Sequence, residues 1–198
     1  MLPVLWNVLL WAGPLAGRGA GPEEEEAGMK IRPAEERDIA AITGIYNHAV
    51  STTTAIWNDR VVDSANRAAW LKAHDEAGLP VLVAVDDGGG VAGYATFGPW
   101  RAWDGYRHTV EHSVYVHKDR QRAGIGRALM VALLEEARQR GYHAMVAGIE
   151  SGNVGSIRLH EQLGFAVVGQ CRQVGCKFGR WLDLTFMQIL LDDRSSPG

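Results

Sequence analysis

Residues 112–130 read HSVYVHKDRQRAGIGRALM, an alternating apolar stretch followed by a basic turn with two glycines and then a helical pattern. Where such a strand hands over to a helix at Gly124, the first backbone N–H groups have no acceptor within regular structure. With the helix dipole behind them they favour an anion, above all phosphate. Glycine suits the position because backbone and anion can approach with no Cβ between them. Alone, the turn is a weak signal. A dinucleotide-binding fingerprint requires a third glycine where Leu129 stands, and a P-loop requires Gly-Lys-Ser/Thr, which is absent. A tight strand-to-helix connection with no ligand would use the same residues.

A second group able to do chemistry lies just upstream. Glu111 stands in the middle of an apolar alternation, where a carboxylate is costly unless it faces a wet cleft, so it is a candidate general base, acting directly or through water. The competing reading is an exposed glutamate on an edge face. Alternation points its neighbour His112 to the opposite side of the strand, which leaves His112 outside the chemistry. Third, Phe97–Arg107 is a stretch dense in aromatic and Arg side chains. Guanidinium forks suit carboxylates and sulfonyl-like or phosphinyl oxygens, and the rings can shape an apolar slot; an ordinary surface loop shielding the core would have the same composition.

These residues need elements to hold them. Lys30–Arg32 reads as a short strand, and from Glu35 the spacing of Ile39, Ile42, Ile45, Tyr46 and Ala49 gives one apolar helical face. Residues 51–62 read as loop or extended chain. Asp63 or Ser64 can cap a second helix running to Ala77. Val81–Val85 and Val91–Thr96 are β-branched runs joined by Asp86-Asp87-Gly88-Gly89-Gly90, strong hairpin chemistry. Thr109–His117 is a central strand, and the helix opening at Gly124 runs to Arg140. His143–Ile149 is a strand, Ser156–Leu163 a short helix, and Phe165–Gln173 and Trp181–Leu190 are further strands. Strands that first pair antiparallel and then alternate with helices predict a mixed α+β sheet.

Composition narrows the function classes. The 198 residues, 46% hydrophobic, suit one domain with a sizeable core. Residues 1–28 hold Arg18 and Glu23–Glu26, leaving 19 basic and 19 acidic residues in the body, which argues against a nucleic-acid partner bound through bulk charge. The apolar start is interrupted by Pro3 and Pro14, is too short for a membrane span, and lacks the basic leader of a signal peptide. Residues 1–28 are therefore expected to be a disordered or non-native extension, with the domain over 29–193 and a tail over 194–198. Cys171 and Cys176 have no metal-ligand spacing, so a metal is not expected, and they read as ordinary thiols in a reducing, cytoplasmic compartment.

The sequence Arg122-Ala123-Gly124-Ile125-Gly126, taken with Asn153 and Arg158-Leu159-His160-Glu161-Gln162-Leu163-Gly164-Phe165, resembles the GNAT superfamily of acyl-CoA-dependent N-acetyltransferases over roughly Met29 to Leu191. Thr109–Val116 and Lys177-Phe178-Gly179-Arg180-Trp181-Leu182-Asp183 are similar to the phosphinothricin, methionine sulfone and methionine sulfoximine subfamily. The resemblance implies a mostly antiparallel sheet of about seven strands with strands 4 and 5 splayed, flanked by about four helices. It implies acetyl-CoA as co-substrate, with the diphosphate on the backbone of Arg122, Gly124, Ile125, Gly126, Arg127 and Ala128. The pantetheine arm would lie along Val114, Tyr115 and Val116 near Asn153, with an N–H close to Val116 as oxyanion donor. His160 stands where many relatives place a tyrosine that protonates the leaving thiolate, and a buried structural histidine is the other reading of that position. For the acceptor, a small amino acid analogue, the resemblance implies Arg101 and Trp103, then Asp104, Gly105 and Arg107, with Trp57 closing the pocket. It also implies a homodimer in which Lys177, Phe178 and Trp181 reach a neighbouring site. Other acceptors (a polyamine, an aminoglycoside, a protein N-terminus) and a noncatalytic acyl-CoA-binding module are the alternatives.

Overall fold

The computed structural model describes residues 29–197, so the expectation for residues 1–28 lies outside the described residues. Strand β1 (Lys30–Pro33) leads through a 3-10 turn (Glu36–Asp38) into helix α1 (Ile39–Thr52). The join is fixed electrostatically. Asp38 accepts from both guanidinium nitrogens of Arg32, at 2.6 and 2.8 Å, and from the Glu35 amide at 2.8 Å. Ile39, Ile42, Ile45, Tyr46, Ala49 and Val50 form the buried stripe of α1, the periodicity read from the sequence. Helix α2 (Ser64–Glu76) starts where the Asp63 carboxylate caps the Asn66 amide at 2.8 Å.

Strands β2 (Val81–Val85), β3 (Val91–Pro99) and β4 (Thr109–Val116) follow, then α3 (Ile125–Gln139), β5 (Ala144–Glu150), α4 (Val154–Gln162), β6 (Ala166–Lys177) and β7 (Arg180–Leu190). They form one seven-stranded sheet in the order β1-β2-β3-β4-β5-β7-β6. Every neighbouring pair is antiparallel except β4–β5. That parallel pair holds only from Thr109–Ala144 to Glu111–Val146, after which the strands part. Beyond Glu111 the outer backbone edge of β4 faces an open fork, the expected splay.

Two differences from the sequence reading concern strand ends. β3 continues through Phe97 and Gly98 to Pro99, which the sequence assigned to the aromatic loop, because Phe97 pairs with His112 and Gly98 with Glu111 while the Phe97 ring is fully buried. β6 reaches Lys177 instead of Gln173, since its hairpin with β7 turns only at Phe178-Gly179, both at positive φ.

The sheet has two differently packed faces. Helix α3 lays Ile125, Leu129, Met130, Leu133, Leu134 and Ala137 over Leu82, Ala95, Val110 and Met145, with Ile157 of α4 beside them. On the other face α1 packs Ile42 and Ile45 against Val83 and Tyr94, with Trp70 of α2 and Tyr115 at the margin. The period-2 alternation of β4 therefore sends Val110, Val114 and Val116 toward α3, and Glu111 and Tyr115 toward α1.

The start of α3 is held close to the sheet at Gly93 of β3. A Cβ there would stand 2.8 Å from the Tyr115 carbonyl oxygen and 3.1 to 3.2 Å from Leu129 and Ile125. Gly93→Ala must push β4 or the first turn of α3 outward. It is expected to destabilise the protein by about 1–3 kcal/mol, as overpacking does, and urea unfolding would read the loss directly; an unchanged midpoint would show that this contact is soft.

Candidate active site

Three pieces of chain meet at the open fork. The first is the turn after β4. Arg122 and Gly124 both adopt positive φ, 64° and 76°, so the chain reverses and enters α3 with Gly124 as its N-cap. No side chain caps this helix, and the first helical acceptor bond there is Ala128 N–H to Gly124 O at 3.0 Å. The amides of Ile125, Gly126 and Arg127 precede that bond and are left for an anion, with the positive end of the helix dipole behind them. Gly126 is also the meeting point of the elements: a Cβ there would touch Leu159 of α4 and Val116 of β4. Arg120 ties the turn to the β2–β3 hairpin through Asp86 at 3.0 Å.

The second piece is the unpaired edge of β4 at Val114, Tyr115 and Val116, past the last ladder contact with β5. Main-chain N–H and C=O groups on such an edge require partners, and an extended amide-bearing arm supplies them in strand-like fashion. Asn153 stands at the start of α4, where its side-chain oxygen accepts from the Ser156 amide at 3.1 Å. Its expected place near the pantetheine arm thus comes with a capping duty that leaves its amide nitrogen free of that bond.

Third, Glu111 sits on the α1 face at the last paired position. Burial pushes its carboxyl above the ordinary 4.5, and the Arg101 cation partly opposes the rise. Gly148 of β5 makes the space: a Cβ at that position would stand 3.1 Å from the Glu111 carboxylate oxygen. A glycine inside an apolar strand is a signal of such close approach, and Gly148 went unremarked in the sequence reading.

Arg101 lies on the exposed loop after β3, its guanidinium 4.8 Å above the Trp100 ring. Trp103 is 72% exposed, and Asp104, Gly105 and Tyr106 form a 3-10 turn, with Arg107 donating to the Asp104 carbonyl. The acceptor residues expected from sequence therefore share one exposed loop, of which Arg101 is the member whose charge reaches Glu111.

Trp57 and Lys177 belong to the opposite wall. The Trp57 indole donates to the Thr54 carbonyl at 2.8 Å and packs over Gly175 of β6 so closely that no Cβ fits there. Thr54 in turn donates to Glu150 at the end of β5. Lys177, expected to reach a neighbouring site, is instead buried and donates to the Ile56 carbonyl of its own chain, because the hairpin folds back onto the α1–α2 loop. Phe178 and Trp181 remain exposed.

His160 faces away from Glu111, on the α3–α4 side of the sheet. It is 1% exposed, its Nδ1 lies 2.7 Å from the Ser156 carbonyl oxygen, and its Nε2 lies 3.0 Å from Nε2 of His112. Both nitrogens are thus bonded to protein, with no N–H left over for a thiolate. His112, set aside in the sequence reading for its orientation, does lie on the face opposite Glu111, and there it touches the very histidine expected to act. A histidine on the buried side of an apolar strand needs a partner, and that signal pointed to it.

A cavity of about 740 Å³ opens elsewhere, between α2, the start of β2 and the end of α3, and contains none of these residues. The fork's claim to function rests on chemistry and not on volume.

Comparison with known proteins identifies the family. Residues 42–165 match the family described as Acetyltransferase (GNAT) family. The chain is 60% identical over 169 residues to the Escherichia coli L-amino acid N-acyltransferase MnaT, covering 85% of this chain and 98% of that protein. It is equally similar, with the same coverage, to the L-methionine sulfoximine/L-methionine sulfone acetyltransferase of Salmonella typhimurium. A structure of a Salmonella typhimurium acetyltransferase with its cofactor acetyl-CoA superposes with a TM-score of 0.83 at 60% identity, over 86% of this chain and 98% of that one. With residues 42–165 matched by the family and relatives 60% identical over nearly their whole length, the chain belongs to the GNAT family of acetyltransferases.

Proposed function

We propose that the protein transfers acetyl from acetyl-CoA to the α-amino group of a small amino acid carrying a tetrahedral sulfur or phosphorus head, of the methionine sulfoximine, methionine sulfone or phosphinothricin type. The observation that carries the proposal is the coupling of Arg101 to the half-buried Glu111 at the mouth of the fork. An α-amino acid presents a carboxylate two bonds from its ammonium, so a base with one cation near enough to feel its charge suits both groups at once. The relatives named for L-amino acid and methionine sulfoximine or sulfone acylation support the same acceptor class.

The chain's own residues then divide the work. Amides of Arg122 and Gly124–Arg127 hold the diphosphate, the amide of Ala128, expected among them, donating instead to the Gly124 carbonyl, and the free edge of Val114–Val116 pairs with the pantetheine arm beside Asn153. Arg101 takes the acceptor carboxylate, with Trp103, Asp104 and Gly105 shaping the slot. Glu111, ionised, removes a proton from the acceptor ammonium, directly or through one water. The neutral amine attacks the thioester carbon, the Val116 N–H steadies the oxyanion, and the carbon–sulfur bond breaks as the nitrogen gives up its surplus proton to solvent and the amide forms. For the leaving group we depart from the role expected of His160: with both ring nitrogens bonded, the thiolate takes its proton from solvent.

We further assign a homodimer. β6 is exposed along nearly its whole length, and Val167, Val168 and Val174 with Phe178 and Trp181 leave a large apolar surface on the β6–β7 hairpin. A cytoplasmic location, where acetyl-CoA is supplied, belongs to the same proposal. Sedimentation of the purified chain should return a two-chain mass, and a single-chain mass would remove this part.

An acceptor screen following thiol release, with methionine sulfoximine, methionine sulfone, phosphinothricin, spermidine, an aminoglycoside and a peptide, tests the core of the proposal. The three amino acids should turn over and the others should not. Turnover of the polyamine or peptide alone would redirect the assignment, and no turnover with saturable acetyl-CoA binding would leave a binding module.

Glu111→Gln should lower kcat by about 10²–10⁴, the usual span for a lost general base. In the parent, kcat/KM should rise with pH through a carboxyl lying above the ordinary glutamate value, because only the ionised form accepts the proton. Arg101→Ala removes the cation that opposes this rise, so the acid limb must shift to higher pH. The same change should raise the acceptor KM by about tenfold to a hundredfold, the loss of a charge-assisted contact, with acetyl-CoA binding unchanged. A limb that stays in place would separate Arg101 from the base.

A further inference from the structure

The mechanism leaves one buried titratable pair unused. His112 and His160 are 8% and 1% exposed, their rings lie within 13° of parallel, and the edge of Phe165 closes the pair. The hydrogen bonds fix which nitrogens carry protons. The Ser156 carbonyl oxygen can only accept, so His160 Nδ1 carries a proton and donates across 2.7 Å. Burial pulls both rings below the ordinary histidine value, His112 to about 3, so each ring is neutral near neutral pH and holds a single proton. His160 Nε2 is therefore a bare acceptor, and the proton across the 3.0 Å contact belongs to His112 Nε2. One consequence is left over: His112 Nδ1 is a buried acceptor with no partner among the described residues. A leucine would fill this space without that cost, so packing alone does not account for a histidine here.

Position supplies the reason. His112 immediately follows Glu111, the last residue of β4 that pairs with β5. His160 belongs to α4, which continues the β5 arm after the short connection at Ser151–Asn153. The contact between them spans the two arms of the fork at the point where main-chain pairing stops.

We infer that His112 is a positioning residue for acetyl transfer: its Nε2–H donates to the bare Nε2 of His160 and ties α4 to β4 across the mouth of the fork, setting the gap in which the thioester lies. The inference rests on the acetyltransferase reading above, and it gives His160 the part of a neutral acceptor-bearing wall and not of a proton donor.

The test uses the full chain, ¹⁵N-labelled at histidine. Long-range ¹H–¹⁵N spectra should show His160 protonated at Nδ1 and bare at Nε2, and His112 the reverse. His112→Leu removes the donor, and His112→Gln places an amide nitrogen at about the reach of Nε2. In the leucine variant the His160 Nε2 resonance should move to that of an acceptor without a donor and the acetyl-CoA KM should rise about tenfold, the scale of a small misplacement, with the acceptor KM unmoved. In the glutamine variant both readouts should return toward the parent. A parent spectrum with the His160 proton on Nε2 overturns the inference, as does a folded leucine variant with parental Nε2 resonance and kinetics. Should the leucine variant fail to fold, the parent spectrum and the glutamine variant decide. A parent that acetylates no amine would remove the acetyltransferase reading alone, because the ring spectra report on the tautomer without any turnover.

Discussion

Everything at this site depends on the place where β4 and β5 stop pairing. A parallel pair inside a sheet normally runs on until one strand ends, since each unmade ladder bond leaves a donor or acceptor to be satisfied elsewhere. Here the pair lasts from Thr109–Ala144 to Glu111–Val146 and then opens, while β3 continues to hold β4 as far as Val116 on its other side. The outcome is a rigid strand with one free edge, running straight into a turn whose helix amides are also free. Under the proposed placement of acetyl-CoA, the anionic group on the turn and the extended arm on the edge are consecutive parts of one ligand.

The same strand keeps two tasks apart by alternation. Glu111 and Tyr115 project to the α1 face, where the Glu111 carboxylate lies against the bare backbone of Gly148. Val114 and Val116 project to the opposite face with His112, where α3 and α4 exclude water. A carboxylate that must exchange protons and a histidine pair kept neutral by burial could not share an environment, since each requires what the other must lack. Adjacent residues of a strand obtain both conditions within one backbone step.

Much of this was legible in the sequence. The turn at Arg122–Gly126, the stripe of α1, the hairpin at Asp86–Gly90 and the mid-strand Glu111 announce themselves through local rules: glycine chemistry, 3.6-residue spacing, a charge in an apolar run. What was not legible depends on strands that are distant in sequence. Phe97 and Gly98 became strand because β4 offers them a ladder, and β6 outran its expected end because β7 does. Lys177 turned inward because a carbonyl of the α1–α2 loop lay within its reach, a contact between residues 121 apart. His112 illustrates the limit best. Its direction was read correctly from alternation, yet its partner is 48 residues away and no local rule names it.

The division between sheet and loops has a further consequence for specificity. On the proposed reading the donor side of the fork is built from backbone groups, whose positions the sheet and α3 fix whatever the side chains nearby. The acceptor side is then built from two irregular segments, the loop after β3 with Arg101 and the α1–α2 loop with Trp57. Neither is free to drift. Arg107 stiffens the first through Asp104, and the second is pinned through Thr54 to β5, through Trp57 to the bare backbone at Gly175, and through Ile56 to Lys177. Two of those three pins lie on β6, the strand whose exposed length forms the apolar hairpin surface. A shift of that hairpin would move the wall facing the acceptor without touching the amides that hold the donor. Changes in β6 are thus a route by which a chain with this donor site can accept different amines.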